Sequence, residues 1–298
     1  RTVMIYGTLE LQQNILETAK GYADEYNLKL VYGVIVGSNS KGFEYADSDC
    51  DTRFLYVRED FPQKICVPWE MTEEELVKRF YPMQECLDEC LPFWELTSFL
   101  HFLTKPSFNN VISSGLYNMV GWTFQSPYQW DPYGIRNKIM PLIDDIFIKE
   151  YEIMYHLREI ERWYKKDDRK IIAKNYMYSV HAALTIDWCL QRNVQPPVYY
   201  KTLLGCCASE QIADEADRLV KTAQQEAGNV IVKNHMQDRQ ETHFTIMAEH
   251  SEVIDAYIER MYKKGTETVN SYKISPQMLL KCQKNVRKMC GILMEEIS

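Results

Sequence analysis

From Glu10 to Tyr26, apolar residues recur at three- and four-residue spacing (Leu11, Ile15, Leu16, Ala19, Tyr22), which predicts an amphipathic helix. The next run, Leu28 to Val36, is almost continuously apolar and β-branched and ends at Gly37, so it predicts a buried strand. Phe54 to Val57 predicts a second strand, with Cys66-Val67 and Phe93-Trp94 as weaker strand candidates. Glu73 to Phe80 carries a helical pattern, and Thr97 to Leu103 predicts another helix with Thr97 as its cap. This order predicts a small α/β unit over roughly the first 130 residues.

Pro127, Pro132, Gly134 and Pro141, set among aromatics, mark a connection. Beyond Pro141 the period is almost purely helical, with long amphipathic runs at 143–164 and 170–191. Pro196-Pro197 then separates these from further helices at 209–228, 247–263 and 275–296. No internal repeat or low-complexity segment interrupts the pattern. The division expected is a catalytic domain over 1–135 and a helical domain over 136–298.

A chain of 298 residues can bury two such cores. Its 34 basic and 42 acidic side chains give a net charge of −8, which argues against unspecific coating of nucleic acid. Charge is nevertheless uneven. Arg162, Lys165, Lys166, Arg169, Lys170 and Lys174 cluster within a short segment, readable either as a local basic channel or as a solvated helical face. The nine cysteines are odd in number, contain no Cys-x-x-Cys and include the adjacent pair Cys206-Cys207, so buried free thiols in a reducing cytoplasm are expected. No run approaches the roughly 18 apolar residues of a membrane span, and the start lacks a signal-peptide pattern, so a cytoplasmic protein without membrane attachment is expected.

Chemistry concentrates in Val36-Gly37-Ser38-Asn39-Ser40-Lys41-Gly42 and the following Asp47-Ser48-Asp49-Cys50-Asp51-Thr52-Arg53. A glycine turn after a strand lets backbone N–H groups approach a polyphosphate without side-chain clash. Asp49 and Asp51 share one face of an extended strand, where both can hold one hard cation. The combination describes a site for a nucleoside triphosphate and Mg²⁺. The competing reading is an ordinary polar loop in which Asp47, Ser48 and Asp49 serve as caps and turn residues. No Gly-Lys-Ser/Thr follows the turn, which excludes a Walker loop, and the spacing fits a dinucleotide fingerprint poorly.

The Gly-Ser turn followed by Asp-x-Asp on the next strand resembles the polymerase-β-type nucleotidyltransferase superfamily. Within it, Gly-Ser-x-Ser-x-Gly with Ser-Asp-x-Asp-x-Arg resembles the RNA-ligase-associated predicted nucleotidyltransferase (RlaP) family. The likeness extends to Trp94-Glu95-Leu96 at the family's Trp-Asp-Leu segment, to Asn109 through Ser114, and to Lys174 through Trp188 with Pro196-Pro197. It implies an α+β fold: an N-terminal polymerase-β-like nucleotidyltransferase α/β domain with a mixed sheet, followed by a C-terminal helical domain.

The resemblance also implies a reaction. An NTP gives its NMP to an acceptor hydroxyl with release of pyrophosphate, assisted by two Mg²⁺ ions, Mn²⁺ being an alternative. Asp49 and Asp51 are implied as catalytic metal ligands. Gly37, Ser38 and Ser40 are implied to hold the β- and γ-phosphates. Arg53 either pairs with a phosphate or fixes a carboxylate. Glu95 is the implied third catalytic and metal-binding carboxylate, although glutamate is a methylene longer than the family's aspartate; Asp88 and Glu89 compete with it. Lys174 and Tyr178, one turn apart, are implied contacts to the nucleotide, against packing or solvation as the plainer roles. His181 extends the same face, more in the manner of a packed polar residue. Lys105 is a further phosphate or acceptor contact, and the Trp122 to Trp130 aromatics fit either base stacking or a core. The acceptor is an RNA end, a protein or a small molecule. The alternative is a catalytically weakened nucleotide- or RNA-binding regulatory module.

Overall fold

Helix α1 (Leu9–Glu25) ends where Asn27 takes a left-handed conformation (φ 53°), a backbone state that asparagine tolerates. The chain then enters β1 (Leu28–Ile35), the one-turn helix α2 (Gly37–Lys41) and β2 (Thr52–Arg58). A short β3 (Phe93–Glu95) leads directly into α3 (Leu96–His101) and a 3₁₀ turn at Phe102–Thr104. Then come α4 (Val111–Gln125), β4 (Gln129–Trp130) and α5 (Ile135–Asp145). The computed structural model describes residues 9–44, 51–58, 93–104, 111–164, 170–236, 245–270 and 272–297. The expected Cys66-Val67 strand and the 73–80 helix lie outside these residues.

The strand order is β3-β2-β1-β4, with β1 antiparallel to β2 and β4 and with β2 parallel to β3. The sheet is therefore mixed. Helix α1 covers one face: Ala19 and Ala23 pack with Leu30, Phe54, Tyr56 and Phe93, and half-buried Ile15, Leu16 and Trp130 close the edge. Tyr32 points to the other face, 5.0 Å from the Phe124 ring of α4. Burial on both faces explains why β1 reads as a continuous apolar run rather than an alternating one.

The described residues form two units. One, with the sheet, falls within Gly7–Ser40, Cys50–Phe147 and Lys273–Ser298; the other falls within Lys41–Asp49 and Ile148–Tyr272. The units thus do not divide at a single point near 135. Helix α5 and the last helix, α11 (Pro276–Ile297), belong with the sheet. Helix α11 is held to α5 by Lys281 Nζ on Asp145 Oδ1 at 2.7 Å and by Asn285 Nδ2 on the Leu142 carbonyl at 2.9 Å. Pro141, expected in a connection, sits inside α5. The Asp131 carboxylate accepts from the Ile135 and Arg136 amides, and burial of Ile135, Ile139 and Ile143 offsets the backbone bond that proline removes.

The second unit contains α6 (Lys149–Trp163), β5 (Ile171–Ile172), α7 (Ala173–Gln191), α8 (Tyr200–Cys207), α9 (Glu210–Met236), β6 (Met247–Ala248) and α10 (Glu252–Val269). The expected single helix over 143–164 is thus two, interrupted at Ile146, Phe147 and Ile148, whose side chains are all buried. Met247 and Ala248, read as the start of a helix, instead pair antiparallel with Ile171 and Ile172. Helix α7 is the centre of the unit, buried along most of its length against α6 and α10. Gly265 of α10 permits that approach, since a Cβ there would stand 3.1 Å from Ile153 and 3.2 Å from Ile186 and Leu157.

Among the described cysteines all are free; Cys189 and Cys282 are buried as expected, but Cys206 is exposed. Burial lifts the Cys189 thiol well above its ordinary range, and the Cys207 and Cys282 thiols to about 11. They remain protonated and unreactive at neutral pH. No helix of the described residues is long and apolar enough to cross a membrane.

His181 lies buried on α7, its Nε2 2.8 Å from the Val198 carbonyl. A carbonyl only accepts, so Nε2 carries a proton. Burial first, then the charges of Lys41 and His156, push its pKa well below the ordinary value. Below about pH 6.5 the unfolded chain takes up a proton that folded His181 does not, so folding stability falls as the solution is acidified. Urea denaturation at pH 7.5 and 5.5 should show lower stability at 5.5, and a smaller difference in His181→Gln. Gly265→Val should lower stability by about 1–3 kcal/mol through overpacking at the α6–α7–α10 contact, read in the same experiment.

Candidate active site

The site starts at the end of β1. Strand pairing there outlasts the strands themselves: Val36 N donates to the Asp51 carbonyl at 2.9 Å, one step beyond the Ile35–Thr52 pair. The buried Ser126 hydroxyl donates to the Ile35 carbonyl at 2.6 Å, and Ile35 N donates to the Tyr128 carbonyl at 3.0 Å, which braces the same end. The chain then reverses through Gly37 at φ +68°.

Glycine is required here twice over. The positive φ disfavours a side chain, and a Cβ at Gly37 would fall 2.1 Å from Asp51 Oδ2. The Asp51 carboxylate thus lies directly against the backbone of the turn, while the residue as a whole is exposed. Gly37 and Asp51, separate in the sequence motif, are in contact in the fold. Asp49 lies outside the described residues.

Ser38 and Ser40, assigned to phosphates from the sequence, are both 3% exposed in α2. The Ser40 hydroxyl donates to the Gly37 carbonyl at 2.9 Å and so closes the turn. Arg53 shares a face of β2 with Asp51, because side chains two apart point the same way. Its Nη1 donates to the Thr123 hydroxyl, which in turn donates to the Met119 carbonyl at 2.7 Å, and its guanidinium lies 5.9 Å from the Phe99 ring centre. Burial lowers the Arg53 pKa to about 10, against the opposing pull of Asp51, so it stays a cation at neutral pH. These contacts favour a fixed cation beneath the carboxylate over a mobile phosphate ligand. Thr123 and Phe99, its supports, carried no sequence signal, since each looks like an ordinary helix residue.

The structure does not bring Glu95 to Asp51. In the parallel β2–β3 register Glu95 stands beside Tyr56, five residues along from Asp51. At about 3.3 Å per residue that is roughly 16 Å, several times the separation of carboxylates sharing metals. Its carboxylate is moreover engaged. Oε1 accepts from Thr97 N at 3.1 Å and from the Thr97 hydroxyl at 2.7 Å, and Oε2 accepts from Ser98 N at 2.7 Å. Glu95 is the cap of α3, the part expected of Thr97, because it stands just before the helix and its carboxylate accepts from two amides left open by the first helical turn. Asp88 and Glu89 lie outside the described residues, as does Lys105.

A cavity of about 190 Å³ lies between α1 and the sheet, lined by Leu16, Gly33, Phe54 and Trp130. Phe54 and Arg53 point to opposite faces of β2, so this cavity is on the far side from the Asp51 carboxylate. Trp130 contributes to the α1 core, with Lys20 Nζ 5.2 Å from its ring centre.

Lys174 and Tyr178 belong to α7 of the helical unit, both half-buried. The Tyr178 ring is 5.2 Å edge-on from Phe43 and 6.2 Å from Trp163, and Lys41 Nζ lies 4.3 Å from its centre.

For a divalent cation the relevant donors are hard oxygens. An exposed carboxylate against a glycine cradle suits such an ion. Among the described residues no three His, Cys, Asp or Glu side chains gather to hold a metal.

Gly37→Ala is expected to lower stability by more than about 1 kcal/mol, from the φ and the carboxylate contact together, as a drop in Tm. Glu95→Ala should cost about 1 kcal/mol as the loss of a helix cap. Urea denaturation measures it.

The sequence matches the RlaP family, described as the RNA repair pathway DNA polymerase beta family, over residues 11–274. Among curated proteins it is similar to YcgL of Bacillus subtilis strain 168, an uncharacterized protein, at 24% identity over 206 residues, which covers 67% of this chain and 71% of YcgL. No solved structure matches. With the match spanning most of the chain and a mixed sheet that sets a glycine turn against an aspartate, the protein belongs to the RlaP family of polymerase-β-type nucleotidyltransferases.

Proposed function

We propose that this protein transfers NMP from an NTP to an acceptor hydroxyl, an RNA end being the acceptor that the family description favours. The observation that carries the reading is the Asp51 carboxylate seated on the Gly37 backbone. A phosphate chain that approaches the turn is placed beside a carboxylate able to hold its counter-cation.

In this reading the acceptor oxygen forms a bond to the α-phosphorus, and the bond from that phosphorus to the β-phosphate bridging oxygen breaks. Pyrophosphate leaves with that electron pair, and the acceptor's proton passes to a base. Asp49 and Asp51 would hold Mg²⁺ or Mn²⁺, which when bound would supply charge neutralisation at the phosphates. The Gly37 backbone and the hydroxyls of Ser38 and Ser40 receive the outer phosphates, the Ser40 hydroxyl exchanging its bond to the Gly37 carbonyl for one to the substrate. Arg53, held by Thr123, fixes the orientation of Asp51. Glu95 has no part in this scheme.

A second reading, a nucleotide- or RNA-binding regulatory module with a weakened centre, draws on the same finding that Glu95 is spent as a cap. One experiment separates the two. Incubation with each α-labelled NTP, Mg²⁺ or Mn²⁺ and total RNA should move label into RNA. Asp49→Asn and Asp51→Asn should each lower transfer by about two to three orders of magnitude while leaving the fold intact, since several kcal/mol of charge stabilisation is lost. Glu95→Ala should retain near-normal transfer. Metal-dependent NTP binding without incorporation into RNA, protein or a small molecule would instead establish the regulatory reading.

A further inference from the structure

On the helical unit five side chains from three segments form a ladder in which two stacked rings lie between cations. Arg162 Cζ lies 4.3 Å from the ring centre of Trp163. Trp163, the last residue of α6, stacks on Tyr178 of α7 with ring centres 6.2 Å apart and planes at 29°. Lys41 Nζ lies 4.3 Å from the Tyr178 centre. Lys174 stands one turn before Tyr178 on the same helix.

The ladder is not core. Trp163, Tyr178, Lys41 and Lys174 are half-buried and Arg162 is exposed. It is held from beneath, however. Buried Phe43 packs edge-on against Tyr178 and against His181, and Gly42, at φ +84°, lies so close to Tyr199 that a Cβ would meet the ring at 2.1 Å. Arg162 and Lys41 set cations over the two rings in a chain whose net charge is −8. Of the nearby carboxylates, Glu159 shares the surroundings of Tyr155 with Arg162, while that of Glu161 accepts from the Tyr262 hydroxyl at 2.6 Å.

We infer that this ladder is a binding surface for a single-stranded polynucleotide, the strand that carries the acceptor hydroxyl. Every base has a flat face that stacks on tryptophan or on a guanidinium plane, and successive bases are joined by phosphates that seek lysine and arginine. Arg162, the exposed outer rung, is the exchangeable one. It swings to a phosphate when a base takes its place over Trp163. A duplex keeps its bases stacked on each other and does not offer them to the ladder, so preference for single strands follows. Lys174 and Tyr178 thereby acquire a role with the nucleotides of the strand.

The inference rests on the transferase reading only where it calls the strand the acceptor; binding itself is independent of transfer. The test uses the full chain and a fluorescein-labelled single-stranded RNA of about 12 nucleotides, within the usual site sizes, followed by anisotropy, with the matching duplex alongside. Single-strand binding is expected, with Trp163→Ala weakening it about tenfold and Trp163→Phe recovering most of the loss. Arg162→Ala should weaken it too and reduce the slope of log affinity against log salt by about one. Circular dichroism confirms that each variant is folded. Unchanged affinity in folded Trp163→Ala, equal binding of the duplex, or no binding of the single strand by the unmodified chain would each overturn the inference. Strand binding that depends on Trp163 without transfer from any NTP would sink the transferase reading and leave this one standing; transfer without such dependence would do the reverse.

Discussion

A single backbone hydrogen bond, from the Val36 amide to the Asp51 carbonyl, governs the geometry of the site. It extends the β1–β2 ladder past the strand ends and so brings the turn and the acidic motif to one place. Glycine at position 37 follows from it, because the carboxylate then occupies the space of any side chain there. Both sheet faces are covered, one by α1 and the other by α4, so a one-residue slip of β1 would exchange the side chains packed on each face. Register, packing and site geometry are one constraint seen at three scales.

The same register argument separates Glu95 from Asp51. Residue type and local neighbours both favoured it, since a carboxylate follows a tryptophan at the end of a strand. Position along the neighbouring strand decides otherwise. Pairing with Tyr56 sets it well along the sheet, and two open amides of α3 claim its oxygens. From the residue just before the helix, its carboxylate accepts from both the Thr97 and Ser98 amides.

The helical unit contributes a different kind of order. Its centre, α7, buries a neutral histidine bonded to a carbonyl, while its margin sets cations over rings. Electrostatics explains the contrast. A charge in the interior loses its hydration and is neutralised, as for His181, whereas lysine and arginine at the surface keep theirs and rest on aromatic faces. Phe43 and Gly42 connect the two by packing a short stretch of chain beneath the ladder.

Much of the fold could be read without coordinates. Periodicity located α1, β1, β2, α7 and α11, and turn chemistry located Gly37, because these depend on residues within a few positions of one another. The family was legible for the same reason: a glycine turn and Asp51 carry its motif in their own residue types. Not legible were the helix break at Ile146 to Ile148, the helix through Pro141, the pairing of Ile171-Ile172 with Met247-Ala248, and the cap role of Glu95. Nor did the sequence show that Arg162, Trp163, Tyr178 and Lys41 share one surface. Each of these turns on which distant surfaces are buried against each other and in what register. The sequence by itself determined most of the elements and the family motif; only the tertiary structure decided their partners, because burial and strand pairing act between residues that the chain holds far apart.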